Sequence, residues 1–282
     1  MSEPAMRMLD ASRLHLQHGP IDLIAEVWGR DREAALQQAA VRFETVLAEL
    51  VDELAILRQP LRKGHGPRGA IARRMADAVA PFDTFITPMA AVAGAVADEV
   101  CTAMVAGLRL ERAYVNNGGD IAVWLAEGQQ LTALIHDRGD AGRVVLHHRD
   151  RARGIATSGR GGRSHSLGIA DAVTVLAESS AAADAAATLI ANAVDLPLHP
   201  GIDRVPASDL SPDSDLGTRL VTRHVVGLTA GDVAQALDAG RRVADRMLKQ
   251  GLIEAAALFL NGETRLSGAF PQTEPREMAN HA

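Results

Sequence analysis

One stretch, residues 154–194 (GIATSGRGGRSHSLGIADAVTVLAESSAAADAAATLIANAV), constrains the fold of this chain more than any other. Residues 155–157 predict a short strand, 158–162 a turn of glycine and hydroxyl residues, 172–176 a second apolar strand, and 180–194 an alanine-rich helix. Gly159, Gly161 and Gly162 let the backbone approach a ligand closely, and Arg160, Arg163, Ser158 and Ser164 put charge and donors beside them, a combination that suits phosphate. On the helix, Asp184 and Thr188 are four residues apart, so a carboxylate and a hydroxyl project from one face a single turn apart. Hard oxygen donors at that spacing suit Mg²⁺, which takes one or two protein groups and completes its shell with water or substrate phosphate. The same spacing also describes a polar stripe on a solvated helix, and the residues alone leave both readings open.

A chain of 282 residues, 47% of them hydrophobic, can bury a full core as one large α/β or α+β unit over residues 1–282. No window approaches 18 uninterrupted apolar residues, and the first residues carry neither the basic nor the apolar region of a signal peptide, which together predict a cytoplasmic protein with no membrane partner. A formal charge of −6 and an aromatic content of 3% argue against a nucleic-acid partner. The single cysteine, Cys101, excludes an internal disulfide and any multi-cysteine metal site, and its apolar surroundings make it a small buried hydrophobe rather than a nucleophile. No GxxxxGK[ST], HExxH or GxSxG motif occurs. His147 and His148 read as surface residues and His65 as part of a solvated loop, whereas His165, inside the glycine turn, is the histidine placed for chemistry.

Along the chain, apolar runs at 12–17 and 21–28 around His18-Gly19-Pro20 predict an opening hairpin. Asp31 then caps a helix expected to run to Leu57, and Pro60 ends it. The basic, glycine-containing segment 61–74 predicts an exposed loop leading into a short helix that ends near Ala80. A small-residue helix over 91–108 resembles the one over 180–194 and suggests two related halves. Strands at 113–115 and 121–125 flank the turn Asn116-Asn117-Gly118-Gly119-Asp120, which is a hairpin turn and also a place where backbone N–H groups can face a ligand. Strands at 131–136 and 143–148, joined by a turn at 137–140, continue the meander. Residues 196–217 predict a long surface loop, Thr229 caps a helix over 230–249, a strand at 255–261 closes the fold, and the chain from Phe270 onwards is a frayed tail.

Four short motifs in order, MAAVAGAVAD (89–98), NNGGDI (116–121), ATSG (156–159) and ADAAAT (183–188) after the strand DAVTV, resemble the ApbE-like superfamily of FAD:protein FMN transferases and flavin-binding relatives. The resemblance implies an α/β fold of the α+β kind, with antiparallel and mixed sheets packed with helices, and FAD lying across the turns. By that carry-over Thr87, Met89, Asn117, Gly118, Gly119, Asp120, Thr157, Ser158 and Gly159 line the flavin site, Asp184 and Thr188 hold Mg²⁺ beside the pyrophosphate, and Asp184 and His165 are the catalytic candidates. The implied partners are a flavin nucleotide and an acceptor protein. Two family features are absent: Ala93 stands where the transferases carry a Lys, and the interval 160–171 lacks their His-Ile-x-Asp-Pro-x-Thr-Gly segment. Two functions therefore stay open, a Mg²⁺-dependent enzyme that cleaves the FAD pyrophosphate and a non-catalytic flavin or nucleotide binder serving sulfur or cofactor metabolism.

Overall fold

A computed structural model describes residues 3–61, 66–134, 143–162 and 164–270. His65, Arg163, the turn at 137–140, the strand residues beyond Leu134 and the tail beyond Phe270 lie outside these residues. The elements in order are β1 (Ala5–Met8), β2 (Arg13–His18), β3 (Ile21–Gly29), α1 (Arg32–Asp52), α2 (Leu54–Leu57), α3 (Ala70–Val79), a 3₁₀ turn (Pro88–Ala91) and α4 (Val92–Val105). Then come β4 (Leu110–Asn117), β5 (Asp120–Leu125), β6 (Gln130–Leu134), β7 (Arg143–His147), β8 (Gly154–Ser158), β9 (Ala172–Ala177) and α5 (Ser180–Ala193). The last are β10 (Ile202–Pro206), α6 (Ala207–Leu210), β11 (Leu220–Val225), α7 (Ala230–Lys249), β12 (Ala255–Leu260) and β13 (Glu263–Gly268).

Nine strands form one antiparallel sheet in the order β1-β2-β3-β4-β5-β8-β9-β12-β13. Strand β2 alternates between covered and open positions, and so does most of β3, because only one of their faces meets the helices. Central strand β9, AVTVLA, is buried throughout, which explains its unbroken apolar run. The helices cover one face, where Leu16, Leu23, Phe43, Met75, Val100, Val175, Ile190, Leu237 and Leu258 join one core. On the other face β6 and β7 pair only with each other and pack Leu131, Val144 and Leu146 against Val123, Ile155 and Leu176, so they form a separate ribbon rather than continuing the meander. Segment Pro88–Val105 has the length and composition of a membrane span, at mean hydropathy 1.3, but 56% of it is buried against the rest of the protein.

Topology reveals the two halves. Each runs hairpin, helix, insertion, helix, hairpin: β2-β3-α1 to α4-β4-β5, then β8-β9-α5 to α7-β12-β13. The counterpart of α5 is therefore α1, not the compositionally similar α4. Helices α4 and α5 share small residues for another reason: they meet at the seam between halves. A Cβ on Gly94 would sit 2.3 Å from the carbonyl oxygen of Ser180, so the two backbones touch. The ladder across the seam is short, pairing only Ile121 with Ile155 and Ala122 with Gly154.

Side chains lock what the ladder leaves loose. On α4, Asp98 accepts the Ser180 and Ala181 N–H groups at 3.0 and 2.8 Å, capping α5. On α5, Asp184 accepts the Gly94 N–H at 3.1 Å, within the first turn of α4. Each helix thus supplies the carboxylate for the other's start.

Local differences from the sequence reading have similar causes. Helix α1 breaks at Glu53 rather than running to Leu57, because the Glu53 carboxylate turns to accept the Arg68 and Gly69 N–H groups, both at 2.6 Å, at the start of α3. Asp31 stands at the N-cap of α1 without a capping bond, its carboxylate accepting the Arg109 N–H at 2.9 Å instead. Thr229 and Asp232 do form a reciprocal capping box on α7. The expected loop 196–217 contains β10 and α6, and β10 pairs with β11. Strands β1 and β13 extend the sheet at its two edges beyond the expected strands.

Two measurements test the seam. Gly94→Ala, which in an exposed helix gains roughly 1 kcal/mol, is expected here to lose about 2–3 kcal/mol because the methyl meets Ser180 backbone; a neutral or stabilising result in chemical denaturation removes the close crossing. Burial pushes Asp98 up to about 6 from 3.8, against the opposing pull of its two backbone bonds. The native state then binds the proton more tightly than the unfolded chain, so this contribution is full below pH 3.8 and is lost as pH rises through about 6. Asp98→Asn is expected to flatten the wild-type decline in unfolding free energy across that interval, and parallel pH profiles contradict it.

Candidate functional site

A cavity of about 660 Å³ opens at the seam, within the size range of small-molecule and cofactor pockets. Its walls come from four places: the 3₁₀ turn and start of α4, the β4–β5 turn, the end of β8 with the following glycine turn, and α5. A fifth segment, residues 211–216, closes one side.

Of the residues expected to bind ligand, Met89, Asn117, Gly118, Asp120, Thr157, Ser158, Gly159, His165, Asp184 and Thr188 all line this cavity. Asn117 donates its side-chain N–H to the Ala93 carbonyl at 3.1 Å, tying the β4–β5 turn to α4. Asp120 accepts the Thr157 N–H at 3.2 Å, bridging β5 and β8 where their ladder ends. Thr87 does not line the cavity; it is buried, and its hydroxyl donates to the lining residue Asp215. Gly119 lies outside the lining too. Its φ of +115° and its N–H bond to the Asn116 side chain at 2.8 Å serve the hairpin turn, and a Cβ there would meet nothing within 4 Å.

The glycine turn after β8 has a structural requirement of its own. Gly159 has φ +147°, and its Cβ would stand 2.7 Å from the Asp171 carbonyl oxygen, so the approach of β9 already demands glycine. Arg160 does not turn its charge on the cavity but pairs with Asp171. Cys101 is buried, as expected, and burial pushes its thiol up to about 12.

The electrostatics are one-sided. Asp120, Asp184 and Asp215 line the cavity, and among the described lining residues His165 is the only basic side chain. Burial first, and then the charge of Asp120, raises Asp184 well above the usual carboxylate range. No group of three or more His, Cys, Asp or Glu residues is arranged to hold a metal among the described residues. The hard-oxygen set is instead Asp184, the adjacent Asp120, and Thr188 one turn along α5, which suits a cation that keeps much of its shell for water or phosphate.

Sequence reasoning missed Ala90, Val92, Ala93, Asn192, Ser211, Ser214, Asp215 and Leu216 in the lining. For the last four-residue set the signal was present: a polar connection longer than about 15 residues in a compact unit is commonly a functional segment.

Residues 5–266 match the family model described as "AbpE bacteria". A UPF0280 protein of Methanopyrus kandleri is 37% identical over 123 residues, 43% of this chain and 48% of that protein. One from Methanothrix thermoacetophila is 40% identical over 128 residues, 44% and 52% of the two chains. The matches thus span about half the length of these relatives. Among solved structures, an ApbE protein of Thermotoga maritima aligns over 91% of this chain and 96% of its own, with 13% identity and a TM-score of 0.48. A flavin transferase ApbE of Vibrio cholerae aligns over 91% and 97%, with 12% identity and a TM-score of 0.48. With a family match covering nearly the whole chain and the motif residues gathered at one seam, this chain belongs to the ApbE-like superfamily, in its "AbpE bacteria" family.

Proposed function

We propose that this protein binds FAD together with Mg²⁺ in the seam cavity and cleaves the FAD pyrophosphate, passing FMN to water or to a hydroxyl of an acceptor protein with AMP as the leaving product. The observation that carries the reading is the charge of the lining: three carboxylates, no described Lys or Arg, and one histidine. Such a cavity repels a free diphosphate, and it accepts one only with a cation that both the protein and the ligand coordinate. Asp184 and Thr188 would hold Mg²⁺, with Asp120 beside them. When bound, the ion supplies the positive charge that the lining lacks.

The chain's own residues do the rest. Backbone at Gly118, Gly161 and Gly162 presents no side chain to the ligand, so a nucleotide can lie close to the turns. Asn117, tied to Ala93, fixes the start of α4 against the β4–β5 turn. His165 is the lining group able to take the proton of an attacking hydroxyl. A second reading, a binder that does not turn FAD over, is favoured by one specific observation: Ala93 lines the cavity at the position where the transferases carry a Lys.

Calorimetric titration with FAD, with Mg²⁺ and with EDTA, tests the binding step. Wild type is expected to bind FAD at least about tenfold more tightly with Mg²⁺, a difference of roughly 1.4 kcal/mol, and Asp184→Asn is expected to bind equally weakly in both. The variant keeps an oxygen for the Gly94 N–H and replaces a carboxyl group whose ionised form this site disfavours, so its unfolding free energy is expected not to fall. Equal, metal-independent affinities in the two proteins remove the metal site. Chromatography of FAD incubated with protein and Mg²⁺ then separates the two readings, because only the enzyme releases FMN and AMP.

A further inference from the structure

The segment 211–216 enters the cavity from the insertion between α5 and α7, and neither the fold's core nor the metal-ligand set accounts for it. It brings Ser211, Ser214, Asp215 and Leu216 to the lining. Its own hydrogen bonds hold it in one shape. The Ser211 N–H donates to the Ala207 carbonyl at 2.9 Å, Ser214 to Ser211 at 3.0 Å, Gly217 to Ser214 at 3.1 Å, and Ser208 back to the Gly217 carbonyl at 2.9 Å. The Leu216 N–H also reaches the Ser214 hydroxyl at 3.3 Å.

Asp215 is anchored from the other half of the molecule. One of its carboxylate oxygens accepts the hydroxyl of Thr87, which is 2% exposed and precedes the 3₁₀ turn that leads into α4. That bond joins residues 128 positions apart and fixes the direction of the carboxylate. Among the described residues no hydrogen bond or ion pair uses the second oxygen, and the residue faces the cavity.

We propose that Asp215, with Ser211 and Ser214, forms a subsite for a neutral hydrogen-bond donor of the ligand, a sugar or ribityl hydroxyl or an exocyclic amine, and that it sets specificity against ligands that are phosphate alone. An ionised carboxylate only accepts hydrogen bonds, so it repels a phosphate oxygen and takes an O–H or N–H. The preset geometry lowers the ordering cost of that bond. The inference rests on the reading that the cavity takes a nucleotide.

Titrations in Mg²⁺ with FAD, ADP, FMN and inorganic pyrophosphate test it on wild type, Asp215→Asn, Asp215→Ala and Thr87→Val. Loss of a hydrogen bond to a charged acceptor is expected to weaken FAD binding by about tenfold or more in Asp215→Ala, and more mildly in Asp215→Asn, which keeps one acceptor oxygen. Pyrophosphate affinity is expected to stay the same or rise in both. Thr87→Val leaves the carboxylate in place without its anchor and is expected to weaken FAD but not pyrophosphate. It keeps the test open if Asp215→Ala fails to fold. A loss shared by FAD and ADP assigns the donor to the adenosine half, and one shared by FAD and FMN assigns it to the ribityl half. Unchanged FAD affinity in the Asp215 variants, or an equal loss for FAD and pyrophosphate, overturns the subsite while leaving the nucleotide reading intact. Failure of wild type to bind any of the four overturns both.

Discussion

The structure depends on an exchange of carboxylates between two helices. Asp98 on α4 caps α5, and Asp184 on α5 accepts an N–H from the first turn of α4, across a crossing where Gly94 brings backbone against backbone. A helix start presents N–H groups without intrahelical partners, and inside a protein those groups need an acceptor. Two such starts buried together at a seam would be costly. Here each cost is met by a side chain from the opposite helix, and the short β5–β8 ladder is thereby reinforced by contacts that neither half makes alone.

The same arrangement accumulates negative charge. Asp98 and Asp120 are buried at the seam and Asp184 is half-buried at the cavity wall, and desolvation raises both Asp98 and Asp184. Backbone N–H groups offset part of that at Asp98 and Asp184. What they leave is a cavity with Asp120, Asp184 and Asp215 in its lining, next to turns that expose backbone rather than side chains. Capping and ligand chemistry are therefore not separable at Asp184: the residue that organises α4 is the one we propose as a ligand of Mg²⁺.

Much of this was legible in the sequence, and the failures have physical causes. The strands on either side of the glycine turn, the helix after them and the capping box on α7 were legible because period, turn residues and caps are local signals. The alanine-rich pattern of α4 and α5 was visible but its meaning was not, since small side chains record a close crossing and not a common origin. The same limit applies to Gly159, whose conformation follows from β9, and to Glu53, which leaves its helix to cap another. Ten of the twelve residues named as ligand-facing line one cavity, where the sequence order of the motifs becomes a spatial ring; Thr87 and Gly119 stand behind it, and Arg160 is neutralised by Asp171, a partner that spacing could not reveal.

Because the cavity sits on the seam, its walls come from Ala93, Gly118, Ser158, Asp184 and Asp215, residues far apart in the chain. None of the halves contains it. The pocket exists only where the two halves are docked, with the α4 and α5 carboxylates on each other's helix starts. A ligand that fills it binds only that docked arrangement, and by linkage it stabilises the junction between the halves.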